Sequence, residues 1–194
     1  MANTRELQSR MKSIKDTMKI TSAMHMIASS NLQKAKKNLE ETEPYFYTLQ
    51  IMIAGILGHM QGGIEHQYFD ERPEIKEADR KKGYIVVTAD KGLAGGYNHN
   101  VIKLAQEFLD KPGHNELFVL GQLGRSYFEK KNVDVDTSFK YTVQKPTMHR
   151  ARVIAEKMLD LFNRKELDEV HIIYTRMENA VEMVAETKQL LPLQ

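Results

Sequence analysis

The sequence has 194 residues, of which 41% are hydrophobic and 28% are charged, and its net charge is +2. This composition is typical of a water-soluble protein with enough apolar residues for a core. The absence of cysteine excludes disulfides and thiolate chemistry, and the lack of an apolar run of about eighteen residues excludes a membrane-spanning helix.

A long amphipathic helix is predicted for the first forty residues. Apolar residues recur there in alternating steps of four and three, which is the spacing of a coiled-coil seam. Neither Gly nor Pro interrupts this pattern before Pro44, and the pattern resumes beyond it, so we expect a kink there and an end near Gly58. The ten positions of the seam are Leu7, Met11, Ile14, Met18, Thr21, His25, Ala28, Leu32, Ala35 and Leu39.

Positive charge is concentrated on the same helix. Residues 1–40 contain eight Lys or Arg and only three acidic residues. A basic helix face indicates an acidic protein partner, an anionic lipid surface or nucleic acid, and the alternative is an ordinary solvated face. The basic residues are Arg5, Arg10, Lys12, Lys15, Lys19, Lys34, Lys36 and Lys37.

The remaining sequence predicts a separate α/β domain. Residues 61–82 are rich in Gly and charge and are predicted to form a linker between a helix over 1–60 and a domain over 83–194. Strands are predicted at 84–89, 117–120, 133–139 and 170–174, with an edge strand around 181–185. Helices are predicted from Asn98 or Asn100 to Leu109, over 122–131 and over 148–163. This alternation favours an open three-layer Rossmann-like fold with a mostly parallel sheet.

The loop after the first predicted strand could be a phosphate-binding loop or a structural turn. It carries Asp90, Gly92, Gly95 and Gly96, but its spacing matches neither standard nucleotide-binding motif. A tight turn in which the glycines permit positive φ is the alternative, and the one we favour. The seven histidines are dispersed, and no catalytic constellation is recognisable, so we expect neither a metal site nor a cofactor in this chain.

Two stretches resemble the signatures of ATP synthase gamma subunits. The first is the run from Lys12 to Lys36, which contains Thr17-Met-Lys-Ile-Thr-Ser-Ala-Met-His-Met26. The second is Thr88-Ala-Asp-Lys-Gly-Leu-Ala-Gly-Gly-Tyr-Asn98, which matches the glycine-rich turn after the first strand. The two stretches lie in the family's order and on the elements predicted for them, and the resemblance covers essentially the whole chain.

The resemblance implies a mechanical, non-catalytic role as the central rotor shaft of the synthase. It implies partners in the alpha and beta subunits of the catalytic hexamer, in the epsilon subunit and in the membrane ring of c subunits, and it implies no nucleic acid. The basic face would meet acidic levers of the beta subunits, and the middle of the helix would lie where the hexamer grips the shaft. The expected partner-contact residues are Arg5, Arg10, Lys12, Lys15, Lys19, Ile20, Met24, Met26, Ile27 and Lys34.

The resemblance also carries departures. Ala94 stands where the family often has Cys, and the family's long C-terminal helix has no counterpart in these 194 residues. The seam is therefore expected to lack a partner helix within this sequence, and a gamma-like chain that self-associates through its helix is an alternative function. A nucleotide-binding enzyme domain is a further alternative function. The lack of an Arg- and Ser-rich leader favours a peripheral protein on the cytoplasmic face of a bacterial plasma membrane over an organelle's inner membrane.

Overall fold

A computed structural model describes residues 3–59, 66–133, 135–136, 138–139, 141–179 and 182–193. The chain divides into two compact units, Met1–Ile64 and Glu65–Gln194. The described residues of the first unit form one helix, and the second unit contains an α/β sheet with its covering helices.

Helix α1 runs without a break over Thr4–His59 and passes through Pro44. Its 56 residues extend for about 84 Å at a rise of about 1.5 Å per residue. The described helix ends at His59, one residue after Gly58, and Gly62-Gly63 lie outside the described residues. None of the helix's residues is buried, so its length is not set by packing within the described part of this chain.

The described part of the predicted linker belongs to the second unit. Arg72 is buried, and its guanidinium donates hydrogen bonds to the carboxylate of Asp168 and to the carbonyl oxygens of Leu167 and Phe162, each at 2.7 Å. The Asp168 carboxylate also accepts a hydrogen bond from the backbone N–H of Lys81 at 2.9 Å. Through Asp168, the segment around Arg72 is therefore held against the start of the first strand.

The second unit contains a four-stranded mixed sheet in the order β2-β1-β3-β4. Its elements are β1 (Lys81–Val87), α2 (Tyr97–Leu109), β2 (His114–Leu120), α3 (Gln122–Lys130), α4 (Met148–Asn163), β3 (Glu169–Met177) and β4 (Met183–Leu191). Strand β1 pairs in parallel with β2 and β3, whereas β4 lies antiparallel at the edge beside β3. Strands β1 and β2 each begin three residues before the predicted position.

The sheet separates two apolar cores. Strand residues such as Val86 and Ile173 face α2 and α3, whereas Ile85, Phe118 and Val170 face α4. A sheet covered on both faces is a three-layer arrangement, which confirms the predicted fold class.

The predicted strand over 133–139 is wrong. Among the described residues of this range, Val135 alone pairs with the sheet, through a single parallel bridge to Leu117. At the next residue, the Asp136 carboxylate accepts hydrogen bonds from the backbone N–H and the hydroxyl of Ser138, and Phe139 N–H donates to the Asp136 carbonyl. This local turn competes with the ladder and ends the pairing. Thr137 lies outside the described residues.

The predicted cap of α2 is also wrong. The N-cap residue is Gly96, not Asn98 or Asn100, and the helix begins at Tyr97. The Asn98 side chain is buried instead, and its Oδ1 accepts a hydrogen bond from Ala89 N–H at 2.8 Å. It ties the helix to the end of β1.

Candidate functional site

The seam is exposed along the whole of α1. Leu7 and Leu39, near its two ends, are 50% and 51% exposed, and Met18 between them is 66% exposed. The polar seam residue Thr21 satisfies its hydroxyl within the helix by donating to the Thr17 carbonyl at 2.9 Å. The helix thus presents an apolar stripe that is interrupted only by the seam residues Thr21 and His25, and such a stripe is a surface that a second helix can pack against.

The predicted contact residues in the middle of the helix are equally exposed. Ile20 and Ile27 are each 63% exposed, Met24 is 50% exposed and Met26 is 66% exposed. Together with the seam they surround much of the helix between residues 18 and 28 with apolar side chains. A helix of this kind offers contact surfaces on more than one side.

The basic residues lie on the solvent-accessible surface of the helix. Arg10 pairs with Glu6 at 2.7 Å and Lys19 approaches Asp16 at 4.0 Å, both within the helix and both largely exposed. Exposed pairs of this kind contribute about 0.3–0.5 kcal/mol each. Among the described residues, Arg5, Lys12, Lys15 and Lys34 have no ion-pair partner, so their charges are available to another molecule.

The glycine-rich loop is a turn fixed by Asp90. One carboxylate oxygen of Asp90 accepts from Gln122 N–H at 3.2 Å, and the other accepts from the N–H groups of Val143 and Gln144 at 3.2 Å. The carboxylate therefore connects the end of β1 to the start of α3 and to the segment before α4. Both carboxylate oxygens therefore have a structural role, because they accept hydrogen bonds from the backbone.

Positive φ occurs at only one of the three predicted turn glycines. Gly95 has a φ of +55°, whereas Gly96 is in the right-handed helical region and Gly92 has no positive φ. The second left-handed residue is Leu93, with a φ of 62° and a side chain that is 94% exposed. A non-glycine residue in this region carries a small strain.

Sequence reasoning missed Thr88, the buried residue beneath this turn. Its hydroxyl donates to the Leu120 carbonyl at 2.9 Å and accepts from Gly124 N–H at 3.0 Å. Gly121 has a φ of +93°, and a Cβ atom there would overlap the Thr88 carbonyl. The sequence signal was the pair of glycines at 121 and 124, which the close approach of β1 to α3 requires.

The cavity beside the glycine-rich turn is smaller than an ordinary ligand pocket. This cavity, lined by Gly96, Tyr97, Asn100 and Thr175 among others, has a volume of about 220 Å³, whereas ligand pockets span roughly 300–1,000 Å³. Burial raises the pKa of Tyr97, as expected for a packed phenol. The geometry favours the structural turn.

Comparison with known proteins identifies the family. A family model described as ATP synthase matches residues 3–194. The chain is 48% identical, over 99% of its length, to the ATP synthase gamma chain of Ruminiclostridium cellulolyticum, and 45% identical over its whole length to that of Acetivibrio thermocellus. The chain belongs to the ATP synthase gamma-chain family. It spans 65% of the length of each of these two gamma chains.

The fold agrees with that of chains in solved ATP synthases. A chain from the structure of the central stalk and c-ring of Tetrahymena thermophila mitochondrial ATP synthase matches 89% of this chain and 72% of its own, with a TM-score of 0.64 and 22% identity. A chain from the Euglena gracilis mitochondrial ATP synthase matches 96% of this chain and 56% of its own, with a TM-score of 0.62 and 17% identity. These likenesses concern the fold.

Two further observations concern the described residues of this gamma-family chain. They contain no group of three or more His, Cys, Asp or Glu placed to hold a metal ion. No helix among them combines the length and the apolar content that crossing a membrane requires.

Proposed function

We propose that this chain is the rotating central stalk of an ATP synthase, which couples transmembrane ion flow to ATP synthesis or hydrolysis. The observation that carries the proposal is helix α1, whose 56 residues include none that is buried although its seam is apolar. A stripe of this length left open in a gamma-family chain is a surface made for contacts outside the α/β unit. The role requires no catalytic residue in this chain.

The seam is proposed to pair with an antiparallel helix that follows β4 in the full-length relatives. Strand β4 ends at Leu191, and Leu193 N–H donates to the Tyr68 carbonyl at 2.7 Å. The end of β4 therefore lies beside the segment that follows α1 in the chain. A helix that continues from β4 would start next to Tyr68.

The exposed basic residues are proposed to meet acidic segments of the beta subunits. Arg5, Lys12 and Lys15 are without ion-pair partners in the described structure, which leaves them available for this contact. Ile20, Met24, Met26 and Ile27 would contact the inner surface of the alpha and beta hexamer. Met side chains adapt to differing partner shapes, as successive contacts during rotation require. Lys34 would lie toward the opposite end, nearer the α/β unit's partners.

The α/β unit is proposed to contact the epsilon subunit and the ring of c subunits. The complex would then hold this chain as a peripheral protein on the cytoplasmic face of a bacterial plasma membrane. The family membership supports a place in the synthase complex.

Charge reversal tests the coupling role. Replacing Arg10, Lys12 and Lys15 by Glu in the assembled synthase should reduce ATP-driven ion pumping into membrane vesicles, by about tenfold for each 1.4 kcal/mol of coupling lost. ATP hydrolysis should fall less, because the catalytic sites themselves are untouched. The control reverses Lys103, Lys130 and Lys131, three exposed residues of the α/β unit, with the same change in net charge. Unchanged pumping in the α1 variant would contradict the proposed role.

A self-associating interaction protein is the second candidate, and the openness of the seam favours it. In that case the chain would form a stable complex with itself but not with alpha and beta subunits. Co-expression with those subunits, followed by purification through a tag on beta, distinguishes the two functions.

A further inference from the structure

The last part of α1 has a second apolar row on the side away from the seam. The seam continues past Leu39 in the same steps of three and four, through Thr42, Phe46, Leu49, Ile53 and Ile56. A second set with the same spacing, Tyr47, Ile51, Ala54 and Gly58, lies on the opposite side of the helix. We call this second set the back row.

The back row is exposed and lies in a stretch without charge. Residues 44–58 contain no Asp, Glu, Lys or Arg. Tyr47 is 53% exposed, and Ile51, at 71%, is the most exposed large apolar side chain of α1. A single pairing seam leaves its opposite side polar, so a second apolar row requires a second contact.

Two carboxylates without ion-pair partners in the described structure lie on the same side of the helix as the back row, just N-terminal to it. Glu40 and Glu43 precede Tyr47 by seven and four residues, which places them on the same side of the helix. Within the described part of the chain neither has an ion-pair partner, whereas the neighbouring Glu41, on another side, pairs with Lys37 at 3.8 Å. The back face therefore changes from acidic to aromatic to aliphatic along the helix.

We propose that this back face, Glu40 to Gly58, binds an α-helix of another subunit that carries an apolar stripe and a Lys or Arg opposite Glu40 and Glu43. The spacing of the row is the one that a partner helix fits with knobs-into-holes packing. Ala54 and Gly58 leave room at one end, since a Cβ atom at Gly58 would meet nothing within 4 Å. The proposal rests on the proposed function, because it places the contact within the synthase.

Other occupants fit the charge pattern less well. An anionic membrane surface would repel the two carboxylates and would find no Lys or Arg between residues 44 and 58. A second copy in parallel register would place the same carboxylates against each other. An antiparallel copy would set them against the uncharged end of the row.

Thiol reactivity tests the proposal, because the chain has no cysteine of its own. Ile51→Cys reports on the back row. Thr48→Cys is the control, because Thr48 lies about 90° around the helix from the middle of that row. In the isolated chain both thiols should react rapidly with a water-soluble maleimide. In the synthase complex Cys at 51 should react slower by about tenfold or more, as in the water-excluding centre of an interface, whereas Cys at 48 should stay reactive.

The acidic end is tested in the same complex. Glu40→Lys combined with Glu43→Lys should restore the reactivity of Cys at 51, whereas Glu41→Lys should leave it protected. Protection that survives the double reversal would overturn the basic partner. Protection already present in the isolated chain would show that this chain's own α/β unit covers the row, and equal protection at both positions would show that no distinct face exists.

The outcome separates this inference from the proposed function. A complex that forms with Cys at 51 as reactive as in the isolated chain overturns the back-row contact alone. Failure of the chain to assemble with alpha and beta subunits overturns both.

Discussion

Buried and partly buried polar side chains hold the loops of the α/β unit against its strands. The Thr88 hydroxyl, the Asp90 carboxylate and the Arg72 guanidinium each make several hydrogen bonds to groups distant in the sequence. Each such group would cost free energy if it were left buried and unpaired. Thr88 and Asp90 thus fix the loops at the edge of the sheet that carries the glycine-rich turn, and Arg72 fixes the segment before β1.

Thr88→Val should destabilise the second unit by about 1–3 kcal/mol, because the shape is kept while Gly124 N–H loses its hydrogen-bond acceptor. The Leu120 carbonyl loses the hydroxyl but keeps the hydrogen bond from the Thr88 N–H. Urea denaturation followed by tyrosine fluorescence measures the change. The matched control is Thr175→Val, since the buried Thr175 hydroxyl has no hydrogen-bond partner in the described structure. Its removal should leave stability unchanged or raise it, and equal losses at the two positions would contradict this account.

At the scale of the element, α1 has no buried residue, so hydrogen bonds within the helix contribute more to its stability than tertiary packing in the described structure. Its hydroxyl groups bond back to carbonyls one turn earlier, as Thr17 does to Ser13 and Thr48 does to Pro44. Pro44 lacks an N–H, so the Glu40 carbonyl loses its helical partner. The helix nonetheless continues past it.

Pro44→Ala should strengthen α1 by up to about 3 kcal/mol, because it restores a helical hydrogen bond and removes the clash of the proline ring. The helical circular dichroism signal should persist to higher temperature. Thr42→Ala, two residues away, removes only the hydroxyl bond to the Asn38 carbonyl and should shift the midpoint much less. An unchanged or lower midpoint for Pro44→Ala would mean that the proline is part of a favourable bend.

At the scale of the whole molecule, the two units differ in where their apolar residues lie. The α/β unit buries them on both faces of its sheet, whereas α1 buries none of its residues. An apolar stripe of this length in water is a strong drive for association.

The isolated chain should therefore self-associate through the seam. Size-exclusion chromatography with light scattering should give a mass of at least twice the 22.4 kDa of one chain. Met11→Glu with Leu32→Glu should return it to the monomer mass, whereas Lys36→Glu with Lys37→Glu, off the seam, should not. A monomeric parent chain at micromolar concentration would contradict this expectation.

The sequence determined what depends on local periodicity. The heptad spacing from Leu7 to Leu39 predicted one long helix, and alternating strands and helices predicted a three-layer α/β unit, because both patterns are read over a few neighbouring residues. The two signature stretches pointed to the gamma-chain family, which the comparisons confirm.

Tertiary structure decided what depends on partners far along the chain. Arg72 reads as a linker residue until Asp168, 96 residues later, gives its charge a buried partner. Val135 belongs to an alternating pattern, but the turn at Asp136 and Ser138 ends its pairing after one bridge. Asn98 is a residue type that often caps helices, but its side-chain oxygen instead accepts a hydrogen bond from Ala89 N–H. In each case a polar group had two possible partners, and only the assembled fold brings the preferred one within hydrogen-bonding distance.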